Sequence, residues 1–428
     1  MSERTVLETN AAVNSASGIA TPKCRHCAAP LHHTFVDLGM SPLCESYLRA
    51  DQLNSMEPFY PLHVFVCEQC YLVQLEEYVS PAEIFTEYAY FSSYADSWLK
   101  HVERYTDQMI ARWGLGATSH VVELASNDGY LLQYFVARNV PVLGIEPAAN
   151  VAKAAEAKGV PTLVKFFGRD TARELVASGQ KADLIIGNNV LAQVPDINDF
   201  VAGIKILLHE RGVVTMEFPH LQQLIDNNQY DTIYHEHFSY FSFLTASKIF
   251  ETHGMVLFDV EELPTHGGSL RIYARHKEDG SKPIEARATA LLRRELELGF
   301  DRMETYANFG EKVKATKRRL LAFLIDARNA GRTVVGYGAP GKGNTLLNYC
   351  GIRTDFLDYT VDRNPYKHGR FTPGTHIPIF PPDKIDETRP DYVLILPWNF
   401  KDEIIAQMAH IRSWGGKFVV PIPDVTIV

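Results

Sequence analysis

Four cysteines form two pairs whose spacing suits a metal ion. Cys24 and Cys27 make one CxxC pair, and Cys67 and Cys70 make a second, about 40 residues later. Zn²⁺ binds four soft ligands in a tetrahedron, and each CxxC turn supplies two thiolates. Four thiolates leave no coordination position for a substrate, so we predict a structural zinc site. A redox-active CxxC is the alternative for one pair, and the second pair argues against it.

Two further cysteines, Cys44 and Cys350, lie outside these pairs, and we expect both to pack in apolar surroundings. Zinc-ribbon sequences also occur in modules that bind nucleic acid or protein, which is the competing interpretation. The segment after the second pair is acidic, with four glutamates from Glu76 to Glu87, and the net charge of the chain is −9. Neither property suits a nucleic-acid surface, which is normally basic.

Small and acidic residues follow a predicted strand in the central region, where residues 121–129 read VVELASNDG. This stretch departs from the GxGxxG pattern that seats a pyrophosphate. S-adenosylmethionine (SAM) has no phosphate, and its sulfonium and amino groups are cationic, so Glu123 with small neighbours suits it. Glu146 ends the next predicted strand, where a carboxylate can bind ribose hydroxyls. The sequence therefore predicts a SAM site.

The predicted SAM contacts are Glu123, Ala125, Asn127, Asp128, Gly129, Glu146, Phe166, Asn188 and Asn189. Phe166 and Phe167 are placed beside the adenine. Each residue alone has a simpler explanation, such as a helix cap for Asp128 or core packing for either phenylalanine.

Ionisable and aromatic residues are concentrated at 234–242, which read YHEHFSYFS. The HEH triplet lacks the HExxH spacing that puts two histidines on one helical face, so a metal site is not favoured. Histidine exchanges protons near neutral pH, and a tyrosine hydroxyl can donate to a developing enolate oxygen. We predict a general acid/base role. The alternative is a buried histidine network whose hydrogen bonds are all satisfied.

Three tyrosines, Tyr88, Tyr90 and Tyr94, surround a short Phe-Ser-Ser run upstream of the central region. We interpret them as a lid or as a wall that stacks on a sugar. Interdomain packing is the alternative.

A second glycine-rich turn, residues 336–344, reads GYGAPGKGN. It is not a Walker loop, because Lys342 is not followed by Ser or Thr. Its backbone N–H groups can still point at a pyrophosphate, with Lys342 adding charge. Gly338 and Lys342 are the predicted contacts, joined by Lys367, Trp398 and Asn399 on later loops. The alternative is a degenerate loop without a ligand.

These residues must be positioned by an α/β framework. Predicted strands and helices alternate from about residue 120 to 275, which indicates a doubly wound parallel sheet. A charged helical bridge is predicted for 286–331, and a second alternation follows it. We predict a disordered lead-in (1–22), a zinc-binding domain (23–80), a SAM-binding Rossmann-like domain with its connector (81–285) and a C-terminal Rossmann-like domain (286–428).

Composition is that of a globular protein, with 46% hydrophobic and 22% charged residues among 428. No apolar run approaches the roughly 20 residues needed to span a bilayer, and the N-terminus has no signal-peptide core. We therefore expect a cytoplasmic protein without nucleic-acid or membrane partners. The sequence is silent on oligomeric state, and a monomer is the working assumption.

The motifs together resemble those of the nucleotide-sugar C-3′ methyltransferases of deoxysugar biosynthesis. The resemblance runs from Cys24 to the C-terminus and rests on the CxxC pairs, ELASNDGYLL, NNVLAQVPDINDF, YHEHFSYFS, GYGAPGKGNTLLNY and VDRNPYKHG. It implies that a zinc domain, a SAM domain and a C-terminal sugar-nucleotide domain act on a nucleotide-linked 4-keto-6-deoxy sugar.

The resemblance also implies residue roles. His237 would be the base, Tyr234 and Tyr90 would assist, and Glu236 would lie in the same site. Tyr88 would contact the sugar. Gln193 would also contact it, but this residue departs from the histidine expected in the family at that position. Glutamine forms hydrogen bonds but does not take a proton near neutral pH, which puts the identity of the sugar in question more than the reaction class.

Three other functions remain open at this point. One is an NAD(P)-dependent nucleotide-sugar oxidoreductase that uses the second glycine-rich turn for its cofactor, although this leaves the Glu123 loop unexplained. Another is a zinc-dependent binding protein without catalytic activity. The third is methyl transfer to a sugar oxygen instead of carbon.

Overall fold

The computed structural model describes residues 21–85, 92–94 and 96–428. Nearly all of the predicted lead-in, together with Tyr88 and Tyr90, lies outside the described residues. The chain forms two compact units. The first contains the described residues up to His33 together with Phe65–His220 and Phe238–Thr305, and the second contains Thr34–Val64, Leu221–His237 and Tyr306–Val428.

The strands, in chain order, are β1 (His33–Ser41), β2 (Tyr60–Val66), β3 (Val73–Leu75), β4 (Val121–Leu124), β5 (Val142–Ile145), β6 (Thr162–Leu163), β7 (Ala182–Asn188), β8 (Leu208–Pro219), β9 (Ser239–Tyr240), β10 (Met255–Leu263), β11 (Ser269–His276), β12 (Val334–Tyr337), β13 (Thr360–Val361), β14 (Ile379–Phe380), β15 (Tyr392–Ile395), β16 (Lys417–Val420) and β17 (Thr426–Ile427).

The α-helices are α1 (Pro81–Phe85), α2 (Asp96–Trp113), α3 (Leu132–Ala137), α4 (Ala149–Ala157), α5 (Arg169–Ala177), α6 (Ile197–Leu207), α7 (Leu221–Asp226), α8 (Phe243–Thr252), α9 (Ala286–Glu297), α10 (Glu304–Ala307), α11 (Phe309–Asn329), α12 (Gly341–Cys350), α13 (Lys384–Thr388) and α14 (Lys401–Gln407).

The first unit is built on a seven-stranded sheet of order β10-β11-β8-β7-β4-β5-β6. The five strands from β8 to β6 are parallel, whereas β11 and β10 add an antiparallel edge. Helices cover both faces, so the central strands are apolar on both sides. Val121 of β4 faces one buried cluster, and its neighbours Val122 and Leu124 belong to the other. Elsewhere in this unit, β3 pairs with β9.

The second unit is built on a six-stranded sheet of order β14-β13-β12-β15-β16-β17, parallel except for β17. Strands β12 and β15 form its core with buried runs such as Val334-Val335 and Val393-Leu394-Ile395. β1 and β2 lie side by side in this unit. The predicted combination of a four-cysteine zinc-binding region with Rossmann-like α/β sheets is therefore confirmed.

One detail of the predicted fold is wrong. The first sheet was predicted to be parallel but is mixed. The five-residue turn 264–268 joins β10 to β11, and so short a connection makes the two strands antiparallel, because parallel neighbours need a longer crossover. The predicted helical stretch 286–331 consists of three helices, α9 to α11. Gly299 ends the first in the left-handed conformation (φ 82°), and the N–H of Phe300 turns back to the carbonyl of Glu295.

Candidate active site and metal centre

The four predicted zinc ligands come together in the first unit. The sulfur atoms of Cys24, Cys27, Cys67 and Cys70 all lie within 4.8 Å of one another. Cys24 and Cys70 are 3.5 Å apart, as are Cys27 and Cys67. A tetrahedron with Zn–S bonds of about 2.3 Å has edges of about 3.8 Å, so the four donors fit zinc.

Two similar turns hold these thiols. In each, the residue four places after the first cysteine is left-handed (Ala28, φ 61°; Tyr71, φ 65°) and donates its N–H to that cysteine's carbonyl. The side-chain amide of Gln74 donates to the Cys24 sulfur at 3.2 Å. Hydrogen bonds from Cys67 and Cys70 lower the pKa of Cys24. Such donors stabilise thiolates, the form that binds metal.

A cavity of about 470 Å³ lies at the carboxyl ends of β4, β5 and β7 in the first unit. Six predicted SAM contacts line it, namely Ala125, Asn127, Glu146, Phe166, Asn188 and Asn189. Its volume is within the range of small-molecule sites, roughly 300–1,000 Å³. The position agrees with the rule that open α/β sheets bind ligands at the carboxyl ends of their strands.

Glu146 is held rigidly in the cavity wall. Its carboxylate oxygens accept hydrogen bonds from the backbone N–H groups of Asn127 at 3.0 Å and Ala148 at 2.9 Å. Burial raises the pKa of Glu146, and the two N–H donors oppose that rise. A carboxylate with its position fixed and lone pairs remaining can accept hydrogen bonds from ribose hydroxyls.

Three predicted SAM contacts do not line the cavity. Glu123 is fully buried in β4, and neither of its carboxyl oxygens has a hydrogen-bond partner among the described residues. Burial raises the pKa of Glu123 well above its usual range, and the nearby Tyr130 hydroxyl offsets only part of this. Asp128 forms a 2.9 Å ion pair with Lys158, and the backbone of Gly129 packs closely against α4.

Trp98 and His266 also line this cavity, although the sequence analysis did not identify either of them. The backbone of His266 is left-handed (φ 55°), and its Nε2 lies 3.2 Å from Asn189 Nδ2. The other amide atom, Asn189 Oδ1, is buried without a hydrogen-bond partner among the described residues. The Trp98 ring lies 5.4 Å from that of His266. The one available signal was the His-Gly-Gly run after β10. Gln193, predicted to contact the sugar, also lines this cavity.

Three of the predicted acid/base residues, Tyr234, Glu236 and His237, lie in the second unit. His237 Nδ1 is 2.9 Å from the carbonyl oxygen of Thr232. A carbonyl only accepts, so Nδ1 carries the proton and the lone pair of the neutral ring is on Nε2. The Tyr234 ring lies against this imidazole, with centroids 4.1 Å apart. Glu236 accepts a hydrogen bond from the Cys44 thiol at 3.7 Å.

The glycine-rich turn follows β12 in the same unit. Gly338 is left-handed (φ 86°), and a Cβ there would lie 2.5 Å from Pro397, so only glycine fits. Lys342, in the first turn of α12, donates to the Asn399 side chain at 2.9 Å. Lys367 donates to the carbonyl of Ala339 at 2.8 Å and thereby braces the turn itself.

Helix α12 joins these two groups of residues. The hydroxyl of Thr345 donates to the carbonyl of Ile233 at 3.0 Å, next to Tyr234. The side chain of Asn344 donates to the carbonyl of Cys44 at 2.6 Å, and the Cys44 thiol contacts Glu236. The predicted acid/base and sugar-nucleotide residues of the second unit are thus arranged around one helix.

Comparison with known proteins settles the family. Three family descriptions match in order: a zinc binding domain (residues 24–85), a methyltransferase domain (98–260) and a C-methyltransferase C-terminal domain (264–423). C-methyltransferase NovU from Streptomyces niveus is 34% identical over 95% of this chain and 96% of its own length. The chain belongs to this C-methyltransferase family. The predicted enzyme class, a SAM-dependent C-methyltransferase with a zinc-binding domain, is confirmed.

The solved structures that match this chain are much less similar to it in sequence and in structure. Magnesium protoporphyrin IX methyltransferase from Synechocystis PCC 6803 is 14% identical, with a TM-score of 0.32 over 41% of this chain and 78% of its own. The CcbJ methyltransferase from Streptomyces caelestis is 13% identical, with a TM-score of 0.32 over 41% and 89%. Among the described residues, no helix is long and apolar enough to cross a membrane.

Proposed function

We propose that this C-methyltransferase methylates C-3′ of a nucleotide-linked 4-keto-6-deoxy sugar. The observation that carries the proposal is the 2.9 Å hydrogen bond from His237 Nδ1–H to the Thr232 carbonyl, which makes Nε2 the ring nitrogen that can accept a proton. A 4-keto group acidifies the proton on the adjacent C-3′, so a neutral imidazole is a suitable base. Reaction at carbon requires that proton to leave, whereas reaction at oxygen does not.

The residues of the second unit support the steps that precede methyl transfer. His237 Nε2 takes the C-3′ proton, and the electron pair moves into an enolate on the former ketone. The Tyr234 hydroxyl can donate to the enolate oxygen, a role in which we also place Tyr90. Glu236 is assigned to orient one of these three side chains, His237, Tyr234 or Tyr90. Lys342, with the first-turn N–H groups of α12, is assigned to the diphosphate of the substrate.

The cavity of the first unit is assigned to SAM, which supplies an electrophilic methyl group when bound. Glu146 would accept hydrogen bonds from the ribose hydroxyls, and Phe166 would lie beside the adenine. The buried Oδ1 of Asn189 has no hydrogen-bond partner in the described part of the chain. It supports a polar ligand here, because such an atom is costly without a hydrogen-bond donor.

The test is a reaction of the purified protein with SAM and a panel of nucleotide-linked 4-keto-6-deoxy sugars, read by mass spectrometry. A substrate deuterated at C-3′ should gain one methyl group and lose its deuterium. Methylation with the deuterium retained would contradict transfer to C-3′. Failure of every sugar in the panel, with SAM bound, would contradict the substrate class.

A further inference from the structure

A buried carboxylate lies beside the predicted acid/base residues. Asp231 is 0% exposed, and its Oδ2 accepts a hydrogen bond from the Trp398 indole N–H at 2.7 Å. Its Oδ1 is buried without a hydrogen-bond partner among the described residues. An ionised carboxylate in such a place is costly unless a nearby cation compensates it. A positively charged side chain is therefore expected near Asp231.

Lys342 provides that positive charge. Its Nζ lies 4.7 Å from the centroid of the Trp398 ring and donates to Asn399 Oδ1 at 2.9 Å. One indole therefore carries an ammonium over its face and a carboxylate on its N–H edge. A hydrogen bond to an anion pushes electron density into the ring, which strengthens its attraction for the cation.

The charges of the two residues depend on each other. Burial lowers the pKa of Lys342, and the charge of Asp231 opposes that shift. Burial raises the pKa of Asp231 to about 6, and Lys342 acts in the opposite direction. The other titratable groups that the Asp231 charge affects are Tyr230, on the same turn, and Cys350, at the end of α12. Above pH 7.5 Asp231 is ionised and Lys342 is the group whose charge is at risk.

We propose that Asp231 and Trp398 are positioning residues that keep the Lys342 ammonium charged and oriented for a diphosphate. The bond to Asn399 uses one of the three ammonium donors, and phosphate oxygens can accept from the others. The inference rests on the proposed function, which assigns the glycine-rich turn to a nucleotide-linked sugar. It adds that the buried carboxylate of Asp231 strengthens anion binding at this turn by keeping Lys342 charged.

The test measures binding of nucleoside diphosphates to the full-length protein by calorimetry from pH 7.5 to 9.5. Thymidine, guanosine, cytidine and uridine diphosphates are compared first, and the tightest is used throughout. Asp231→Asn keeps the size of the side chain but removes its charge. We expect its affinity to fall as pH rises, from within about threefold of wild type at pH 7.5 to about tenfold weaker at pH 9.5. The reason is that Lys342 loses its proton in this variant, and each pH unit above the pKa lowers the charged fraction by about tenfold.

Two further variants keep the test decisive. Adding Lys342→Arg to Asp231→Asn supplies a permanent charge and should restore affinity at pH 9.5 to within about threefold of wild type. Trp398→Phe replaces the indole by a smaller ring that attracts the ammonium less and has no N–H for Asp231. It should also weaken binding more as pH rises, which gives a second test if Asp231→Asn folds poorly. Asp402→Asn, exposed on α14, is the control and should change nothing.

The outcomes separate the two proposals. If wild type binds a diphosphate but Asp231→Asn weakens binding equally at every pH, or leaves it unchanged, Asp231 has only a structural role or none, and this inference is wrong. If wild type binds none of the four diphosphates, the proposed nucleotide-linked substrate fails, and the inference fails with it.

Discussion

The parallel strands of the two sheets of this C-methyltransferase end at chemically different edges. The edge of the first sheet presents acceptors, such as Glu146 and Asn189, to a cavity. The edge of the second presents donors: Lys342 and the start of α12. Under the proposed function, similar topology therefore serves opposite ligands, a cationic SAM with ribose hydroxyls in one unit and an anionic diphosphate in the other. The comparison teaches that in such sheets the strand order sets where a ligand binds, and the edge side chains decide which ligand.

Metal removal should give the largest effect and should act on the first unit. Cys67→Ser removes a thiolate from the predicted zinc site. In small domains, structural sites of this kind bind zinc with about 10–16 kcal/mol. Cys67 also belongs to the same buried cluster as Val122 and Leu124 of the central sheet. We expect zinc content, measured by mass spectrometry of the purified protein, to fall from one per chain towards zero and the melting temperature to drop. Cys350→Ser, a buried thiol of the second unit, is the control and should retain zinc; full zinc occupancy in Cys67→Ser would contradict the assignment.

Loss of the proposed base should have the next largest effect. His237→Gln keeps a side-chain donor for the Thr232 carbonyl but cannot accept the C-3′ proton. We expect kcat to fall about 10²–10⁴-fold, as for other general bases, with Kd for SAM and for nucleoside diphosphate unchanged.

His235→Gln is the matched control for that variant. His235 is buried in the same run, where burial lowers its pKa and its Nε2 is bonded to the Pro61 carbonyl. It should keep kcat within about threefold, in line with ordinary effects away from the reacting atoms. A comparable loss of kcat in both variants would show that the run is structural, and would remove the proton-transfer role from His237.

The sequence predicted local motifs well because each motif is a short pattern with one physical requirement. The CxxC pairs, the strand before Glu146 and the glycine-rich turn before Lys342 all depend on neighbouring residues. Contacts between distant segments leave no such pattern. Asp231 lies 167 residues from Trp398 and carries no signal of their hydrogen bond.

Cavity walls show the same limit. His266 enters the SAM cavity because a tight turn between two antiparallel strands puts it there, and that hairpin was missed. Glu123 was predicted to contact SAM from its place at the end of a strand. Its side chain is fully buried in β4 and does not line the cavity, because a strand sends alternate side chains to opposite faces and the motif does not say which face each residue takes. Its predicted contact with SAM remains untested.

Substitution at Glu146 tests the acceptor edge. Glu146→Gln replaces one oxygen by an NH₂ group that faces a backbone N–H, so one of the bonds to Asn127 and Ala148 becomes a contact between two donors. Together with a lost ribose bond, this should weaken SAM binding by about 2–4 kcal/mol, or roughly 30- to 1,000-fold. Diphosphate affinity should stay the same. Calorimetry measures both, and Glu156→Gln, exposed on α4, is the control. Equal loss of both ligands would break the separation of the two edges.

Substitution at Lys342 tests the donor edge and should give the smallest effect. Lys342→Gln removes one charge-assisted bond to phosphate, about 1.5–2 kcal/mol or roughly 10- to 30-fold in diphosphate Kd, and leaves SAM binding unchanged. Lys401→Gln, exposed at the start of α14, should change neither. Burial lowers the pKa of Lys342 and the charge of Asp231 opposes that shift, so wild-type affinity should fall less than that of Asp231→Asn from pH 7.5 to 9.5, whereas Lys342→Arg should bind evenly over this range. An even profile for wild type together with a steep one for Lys342→Arg would show that the charge at this edge comes from another residue.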